Sequence, residues 1–258
     1  MTPLIRRGLI AAASERPADA LHSSDIARAG ARRRIIRFAA LGIAAFLVAL
    51  LWTMPASVIV RNVPWRTGVA GTVWNGEVGV AGGSILSWDW APLRSLTSLG
   101  FAVDWRAAGA NTDLGGQALV RPGRLVLDAM TGRADASLLR AIQPNLPFTC
   151  DMAMQVEFPR AIIGGAGQMV QGNLLTEAGS CAPKAGGTPT RVPPLALVAE
   201  KVGTESRLRL TPAAQRRRIL MTIVLDESGE VAITMTPEGA AALPFVGMPP
   251  GASIRGAI

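Results

Sequence analysis

The chain has 258 residues, of which 49% are hydrophobic and only 17% are charged, and its formal net charge at pH 7 is +8. Such an apolar composition is not typical of a disordered chain or of a chain that wraps nucleic acid. We therefore expect a folded protein with no nucleic-acid partner. The only histidine is His22. This count excludes most metal sites and any catalytic pair that needs a histidine further along the chain. We therefore expect neither a metal nor another cofactor.

The positive charge is concentrated at the N-terminus. Residues 1–37 contain eight arginines and three acidic residues, a net charge of +5, which leaves +3 for the rest of the chain. Residues 38–60 contain no charged side chain. A helix of 23 residues is about 34 Å long, enough to cross a hydrocarbon core of about 30 Å. We predict a transmembrane anchor over residues 35–57, whose helix ends at Pro55.

Arginines before the apolar run set the predicted orientation of the anchor. Residues 32–34 and Arg37 are all arginine, and positively charged flanks remain in the cytoplasm. We expect residues 1–34 to form a basic cytoplasmic tail and residues 58–258 to form a domain beyond the membrane. Two alternatives stay open. One is a cleaved signal peptide, although residues 53–56 match a cleavage site poorly, and the other is a buried core helix of a cytosolic protein.

The two cysteines, Cys150 and Cys181, both follow the predicted anchor. An even number of cysteines in an oxidising compartment predicts a disulfide bond. Closing a loop of about 32 residues would stabilise the fold by about 3.5 kcal/mol on the chain-entropy model. The alternative is a pair of free buried thiols, because the sequence does not show whether the two Cα atoms approach closely enough.

Residues 58–258 show the alternation of apolar and polar residues that is typical of strands with one buried and one solvated face. The alternation recurs in residues 86–90, 101–106, 151–158, 207–211, 219–225 and 231–236. Because parallel strands are buried on both faces, the alternation favours an antiparallel sheet. We therefore predict a mainly β fold, in which a single N-terminal transmembrane helix precedes an antiparallel β-sheet domain with one or two short helices.

The turns and short helices of this domain are also predicted from local signals. Residues 226–230 predict a hairpin loop with a glycine at positive φ. A short helix is predicted at residues 135–142, with Asp135 as its N-cap, and a single helical turn at residues 211–216. Proline-rich segments predict loops at residues 182–194 and 243–251, and the last residues, 252–258, predict a short strand.

One sequence element resembles a known family. Gly71-Thr-Val-Trp-Asn-Gly76 resembles the G-T-[VL]-W-x-G element of the type II secretion system protein N family, and the tryptophan-bearing segments that follow, to Trp105, are similar to strands of that family. The resemblance implies a non-catalytic bacterial inner-membrane protein, mostly periplasmic, that assists export of folded proteins across the outer membrane. It implies other secretion subunits and membrane lipid as partners. The strand pattern is also similar to that of AsmA-like periplasmic proteins, which are associated with envelope lipid handling.

Two short segments are candidate partner-binding sites, and each has a structural alternative. Gly71, Trp74 and Gly76 belong to the first, although the tryptophans of this region, Trp74 among them, also suit a sheet core. The second consists of three consecutive arginines, which suit lipid headgroups or an acidic partner as well as a solvated strand start. These three residues are Arg216, Arg217 and Arg218.

No catalytic motif is found. Residues 164–172 are glycine-rich but lack the lysine of a phosphate-binding loop. Asp89, Asp104 and Asp128 fall at water-facing strand positions, and nothing in the sequence pairs them. We therefore predict that the protein is not an enzyme. Two functions remain, a structural component of the secretion machinery and a periplasmic lipid-binding module with an apolar groove.

Overall fold

A computed structural model describes residues 36–58, 60, 66–80, 82–143 and 145–257. The chain divides into two compact units, Met1–Thr53 and Met54–Ile258. The predicted cytoplasmic tail, residues 1–34, lies outside the described residues, as does Pro144, which we expected to follow the helix at 135–142.

In the first unit, residues 36–52 form a helix, α1, whose large apolar side chains are exposed. The prediction of a helix that continues to Pro55 is wrong. Pro55 instead forms an isolated antiparallel bridge with Thr72, and a 3₁₀ turn follows at Ala56–Val58. The helix ends at Trp52. Met54 belongs to the second unit, where its carbonyl accepts a hydrogen bond from Val73 N at 3.0 Å. Among the described residues, we find no helix with both the length and the apolar character that crossing a membrane requires.

The second unit is built from strands that follow one another at short intervals. In chain order these are β1 (Arg66–Gly71), β2 (Asn75–Val80), β3 (Ser84–Trp90), β4 (Phe101–Gly109), β5 (Thr112–Arg121), β6 (Arg124–Asp135), β7 (Phe148–Asp151), β8 (Ala153–Ile163), β9 (Met169–Thr176), β10 (Gly179–Pro183), β11 (Thr190–Val192), β12 (Leu195–Val202), β13 (Glu205–Pro212), β14 (Met221–Leu225), β15 (Glu230–Met235) and β16 (Ser253–Ala257). The final strand confirms the one predicted near the C-terminus. The prediction of a loop over 182–194 is wrong in part, because the end of β10 and all of β11 lie within it, and β11 pairs with β10.

These strands form two antiparallel sheets. The large sheet has 13 strands in the order β1-β2-β3-β4-β5-β6-β8-β9-β12-β13-β14-β15-β16. The small sheet has three strands in the order β11-β10-β7. Most neighbours in the large sheet are also neighbours in the chain, so the sheet is a meander interrupted where the small sheet is inserted. The prediction of a mainly β, antiparallel domain is confirmed.

Among the described residues, three short α-helices lie between the strands, one more than the largest number predicted, because α2 had no clear sequence signal: α2 (Pro92–Ser98), α3 (Ser137–Ile142) and α4 (Pro237–Ala242). The helix predicted at 135–142 is found as α3, but its N-cap residue is Ala136. Asp135 ends β6 instead, and its Oδ1 accepts a hydrogen bond from Ser137 N at 2.7 Å. The helical turn predicted at 211–216 is absent from this described segment, because its first two residues complete β13.

Register across the large sheet separates an apolar face from a polar face. One row of directly paired residues is apolar and runs Trp90, Val103, Ala118, Leu127, Ala161 and Val170. The adjacent row, on the other face, is polar and runs Asp89, Asp104, Gln117, Asp128, Arg160 and Gln171. The apolar face continues through Gly172, Ala199, Leu208, Ile223, Ile233 and Ile254. The predicted combination of one dry and one wet face is thus confirmed.

The small sheet packs against the apolar face of the large one and closes the main core. Cys181 and Val192, on β10 and β11, are each 2% exposed and belong to the same buried cluster as Met154, Val156 and Leu195 of the large sheet. Burial of this cluster supplies the main apolar driving force for the unit.

The predicted disulfide bond is confirmed and links two strands of the small sheet. Cys150 lies directly opposite Cys181 in the β7–β10 pairing, with their Cα atoms 4.1 Å apart. The bond closes a loop between residues 31 positions apart, and this loop contains β8 and β9 of the large sheet. The cross-link therefore constrains a segment that belongs to both sheets.

The hairpin predicted at 226–230 is confirmed between β14 and β15. Asp226 Oδ1 accepts hydrogen bonds from Ser228 N at 2.8 Å, Ser228 Oγ at 2.6 Å and Glu230 N at 2.9 Å. These bonds, the one from the Ser228 hydroxyl above all, lower the pKa of the Asp226 carboxyl. Gly229 takes the expected positive φ, 92°.

Candidate functional site

A cavity of about 480 Å³ lies in the second unit, between the apolar face of the large sheet and the segments that cover it. We call it the apolar cavity. Its floor is formed by side chains of the large sheet, among them Met154, Leu174, Leu195, Leu210, Met221 and Ile233. Its roof is formed by the small sheet and by the segment after α4, and includes Phe148, Cys150, Cys181, Val192, Phe245 and Met248. The cavity therefore exists because the small sheet is held over the large one.

The chemistry of this lining is uniform. Thr176 is the only hydroxyl-bearing residue among the described residues that line the cavity, and its Oγ1 accepts a hydrogen bond from Leu195 N at 2.9 Å. No ionisable side chain is present in that lining. Four methionines contribute to it, and methionine adapts to ligands of different shape. Ile254 also lines the cavity and is 54% exposed, so the cavity meets solvent at the edge strand β16.

A second depression lies on the same face, in the first half of the sheet. It has a volume of about 390 Å³, and we call it the Trp hollow. The described residues that line it are Leu86, Trp88, Phe101, Val103, Trp105, Ala118, Leu125 and Leu127. Trp88 is fixed by a hydrogen bond from its Nε1 to Val73 O at 3.0 Å. Trp105 Nε1 is buried without a hydrogen-bond partner among the described residues.

The candidate residues Gly71, Trp74 and Gly76 lie in one tight turn between β1 and β2. Gly71 and Gly76 pair directly across this turn. A Cβ atom on Gly76 would collide with the ring of Trp88, and Gly71 has φ 82°. The Trp74 ring is half-buried and packs on Trp90, with ring centroids 4.7 Å apart. Each of these residue types is therefore explained by the backbone conformation of the turn or by packing against β3.

The arginines Arg216, Arg217 and Arg218 lie in the connection between β13 and β14, and all three are exposed. Their side chains form no ion pair with a described residue, whereas six other arginines of the β unit do. The connection is ordered by its main chain, because Arg218 N donates to Gln215 O at 2.9 Å and Leu220 N donates to Leu210 O at 2.8 Å. Leu220 is 0% exposed and anchors the connection in the core.

The three aspartates for which the sequence suggested no partner each have a hydrogen-bond or ion-pair partner in the structure. Asp89 and Asp104 lie opposite each other on the polar face. Asn75 Nδ2 donates to Asp89 Oδ1 at 2.7 Å, and Arg94 forms an ion pair with Asp104 at 3.2 Å. Asp128 lies 3.7 Å from Arg160. The expectation that nothing pairs these carboxylates is wrong, because their partners come from neighbouring strands and from α2.

Titratable residues show no metal-binding arrangement in the part of the chain that the structure describes. Within it, no group of three or more histidine, cysteine, aspartate or glutamate residues is placed to hold a metal ion. The glycine-rich segment 164–172 forms the turn between β8 and β9 and continues into β9. In this meander it is followed by a strand, not by the helix that completes a phosphate-binding loop.

An exposed apolar patch on α2 was not foreseen from the sequence. Leu93, Leu96 and Leu99 are 80%, 75% and 86% exposed, and we call them the leucine patch. Leu99 caps the helix in the left-handed conformation, with φ 48°. The only sequence signal was Pro92, which suits the first turn of a helix. The patch lies within residues 71–105, the segment that carries the resemblance.

Comparisons with protein-family profiles, with curated proteins and with solved structures each found no match to this chain.

Proposed function

We propose that this chain is a non-catalytic component of the bacterial cell envelope whose β unit binds lipid acyl chains in the apolar cavity. The observation that supports this proposal is a cavity of about 480 Å³ whose described lining offers no ionisable group. Cavities that bind small ligands are about 300–1,000 Å³ in volume and mostly apolar. An acyl chain needs no polar partner, and the lining provides almost none. A lipid-binding role is also what the similarity of the strand pattern to AsmA-like periplasmic proteins implies.

A cavity lined in this way also disfavours polar ligands. A sugar or a nucleotide would lose its hydrogen bonds to water on entry, and each unpaired polar group would cost about 1–3 kcal/mol. The methionines of the lining allow chains of different length and unsaturation to be held without a fixed shape. We therefore expect a class of acyl lipids rather than one compound.

The full chain purified in detergent provides the test. Lipids extracted from it are identified by mass spectrometry and compared with those from Met221→Trp, which places a larger side chain in the cavity. The matched control is Thr222→Trp on the opposite face of β14. We expect the wild type and the control to carry acyl lipid and Met221→Trp to carry several-fold less. A wild type without any acyl species contradicts the proposal.

We also propose that the apolar N-terminal segment anchors the chain in the inner membrane and places the β unit in the periplasm. Residues 38–60 are free of charged side chains, and the large apolar side chains of α1 are exposed, including Phe38 at 73% and Leu41 at 70%. The arginines that precede the segment favour a cytoplasmic N-terminus. Carbonate washing and protease protection of membranes test this placement, and release of the intact chain by carbonate contradicts it.

A role in type II secretion is the second candidate function. The segment that resembles the protein N family, residues 71–105, contains β2, β3, α2 and the first part of β4, and it carries the leucine patch. Exposed apolar side chains in a cluster mark interaction sites. We propose that another secretion subunit, with an apolar surface of its own, docks on this patch.

Export of folded enzymes and recovery of secretion subunits with the chain test this second function. Leu93→Ser combined with Leu96→Ser removes two of the three leucines of the patch, both of them exposed. Ile85→Ser is the control, because Ile85 is 50% exposed and lies on β3, outside the patch. The double variant is expected to lower both export and co-purification. Normal export in a strain that lacks the gene contradicts the assignment.

A further inference from the structure

We infer that the arginine connection, residues 216–218, binds the phosphate of an anionic phospholipid whose acyl chain occupies the apolar cavity. This inference rests on the proposed lipid-binding function and names the class of lipid. Three adjacent exposed guanidinium groups without an ion-pair partner among the described residues form a local excess of positive charge. Guanidinium groups bind phosphate oxygens with paired, charge-assisted hydrogen bonds.

The position of the connection links it to the apolar cavity. A smaller cavity of about 210 Å³ lies beside it and is lined by Gln215 and Arg218 together with apolar residues. Leu195 and Leu243 line both this smaller cavity and the apolar cavity. The smaller cavity that Arg218 lines therefore adjoins the acyl site, with these two side chains in both linings.

The backbone of the connection is held in place, as a binding site requires. Its main-chain hydrogen bonds and the buried Leu220 fix the backbone from which the arginines project. A fixed backbone lowers the entropy that is lost when a ligand binds. Arginines elsewhere in the β unit, such as Arg133 and Arg160, are instead engaged with acidic partners on the polar face.

The test uses the delipidated full chain in an uncharged detergent. The probes are fluorescent phosphatidylglycerol, which carries an anionic phosphate, and fluorescent diacylglycerol, which carries no phosphate, with identical acyl chains. Arg216, Arg217 and Arg218 are replaced together by glutamine. The control replaces Arg106, Arg133 and Arg160 by glutamine, which removes the same charge from strands of the large sheet. Circular dichroism checks the fold of both variants.

We expect the wild type to bind phosphatidylglycerol about tenfold tighter than diacylglycerol, as a cluster of arginines near a headgroup should produce. The triple variant at 216–218 should lose this preference while its affinity for diacylglycerol stays the same, and the control should keep it. Equal affinity of the wild type for both lipids overturns the inference but leaves the proposed function intact. An equal loss in the control also overturns it, since net charge then explains the preference.

Two further outcomes distinguish a lipid headgroup from free phosphate as the ligand, and failure of this inference from failure of the proposed function. If inorganic phosphate alone displaces the anionic lipid at equal concentration, the connection binds free phosphate and the inference of a lipid headgroup is wrong. If neither lipid binds the wild type, the proposed function fails together with the inference.

Discussion

Removing the disulfide bond should both destabilise the β unit and empty the apolar cavity. Replacement of Cys150 and Cys181 by alanine opens a loop closed by residues 31 positions apart. On the chain-entropy model a loop of about 32 residues corresponds to about 3.5 kcal/mol of stability. Loss of packing acts in the same direction, because Cys181 is only 2% exposed. We expect the double variant to lose about 3–5 kcal/mol in the free energy of unfolding.

The loss should extend to ligand binding because both cysteines line the cavity. Urea unfolding of the full chain in detergent, followed by tryptophan fluorescence, measures the stability, and mass spectrometry of extracted lipid measures the ligand. Reductant should lower the unfolding midpoint of the wild type and leave that of the double variant unchanged. Equal midpoints for the oxidised wild type and the double variant would refute the reasoning.

Three further changes test separate parts of the fold. Gly76→Val should lower the free energy of unfolding by about 1–3 kcal/mol, because the new side chain meets the ring of Trp88. Gly256→Val is the control and should shift the thermal midpoint little, because nothing lies within 4 Å of the added atom. Equal shifts of the midpoint in the two variants contradict the packing explanation. Leu220→Ala should lower the free energy of unfolding by about 2–5 kcal/mol, since Leu220 is 0% exposed. A smaller loss of stability in urea unfolding argues against the role of Leu220 as an anchor of the connection. Asp226→Asn should be less stable than the wild type at neutral pH, because the folded state lowers the pKa of this carboxyl from 3.8. A lowered pKa stabilises the fold at pH values above the unfolded pKa. This contribution is lost as the pH falls through the folded pKa. Thermal midpoints that differ equally at acidic and neutral pH contradict that explanation.

Alternation along the chain was sufficient to predict the two faces of the large sheet. Trp90 and Val103 are apolar while Asp89 and Asp104 are polar, and pairing of their strands carries that difference across the sheet. The pattern has a period of two residues, so the face of each side chain follows from its own strand. The hairpin at 226–230 was predicted for a similar reason, since its signals lie within five residues.

Features that depend on distant pairing were not predictable in the same way. The disulfide bond was predicted from the number of cysteines, but local sequence gives no sign that the strands of Cys150 and Cys181 belong to a separate sheet. The apolar cavity exists because that sheet covers the large one. Its lining comes from many strands, each of which shows only ordinary core residues. The leucine patch was missed because a leucine on a short helix looks the same in sequence whether it is buried or, like Leu96, 75% exposed.

Photo-crosslinking gives the most direct test of the claim that acyl chains occupy the apolar cavity. A phosphatidylglycerol with a photoreactive group near the end of its acyl chain is incubated with the full chain in detergent, irradiated and mapped by peptide mass spectrometry. We predict adducts on residues that line the cavity, such as Met154, Met221 and Phe245. Adducts confined to residues 36–52, or found equally on the polar face, would contradict the account.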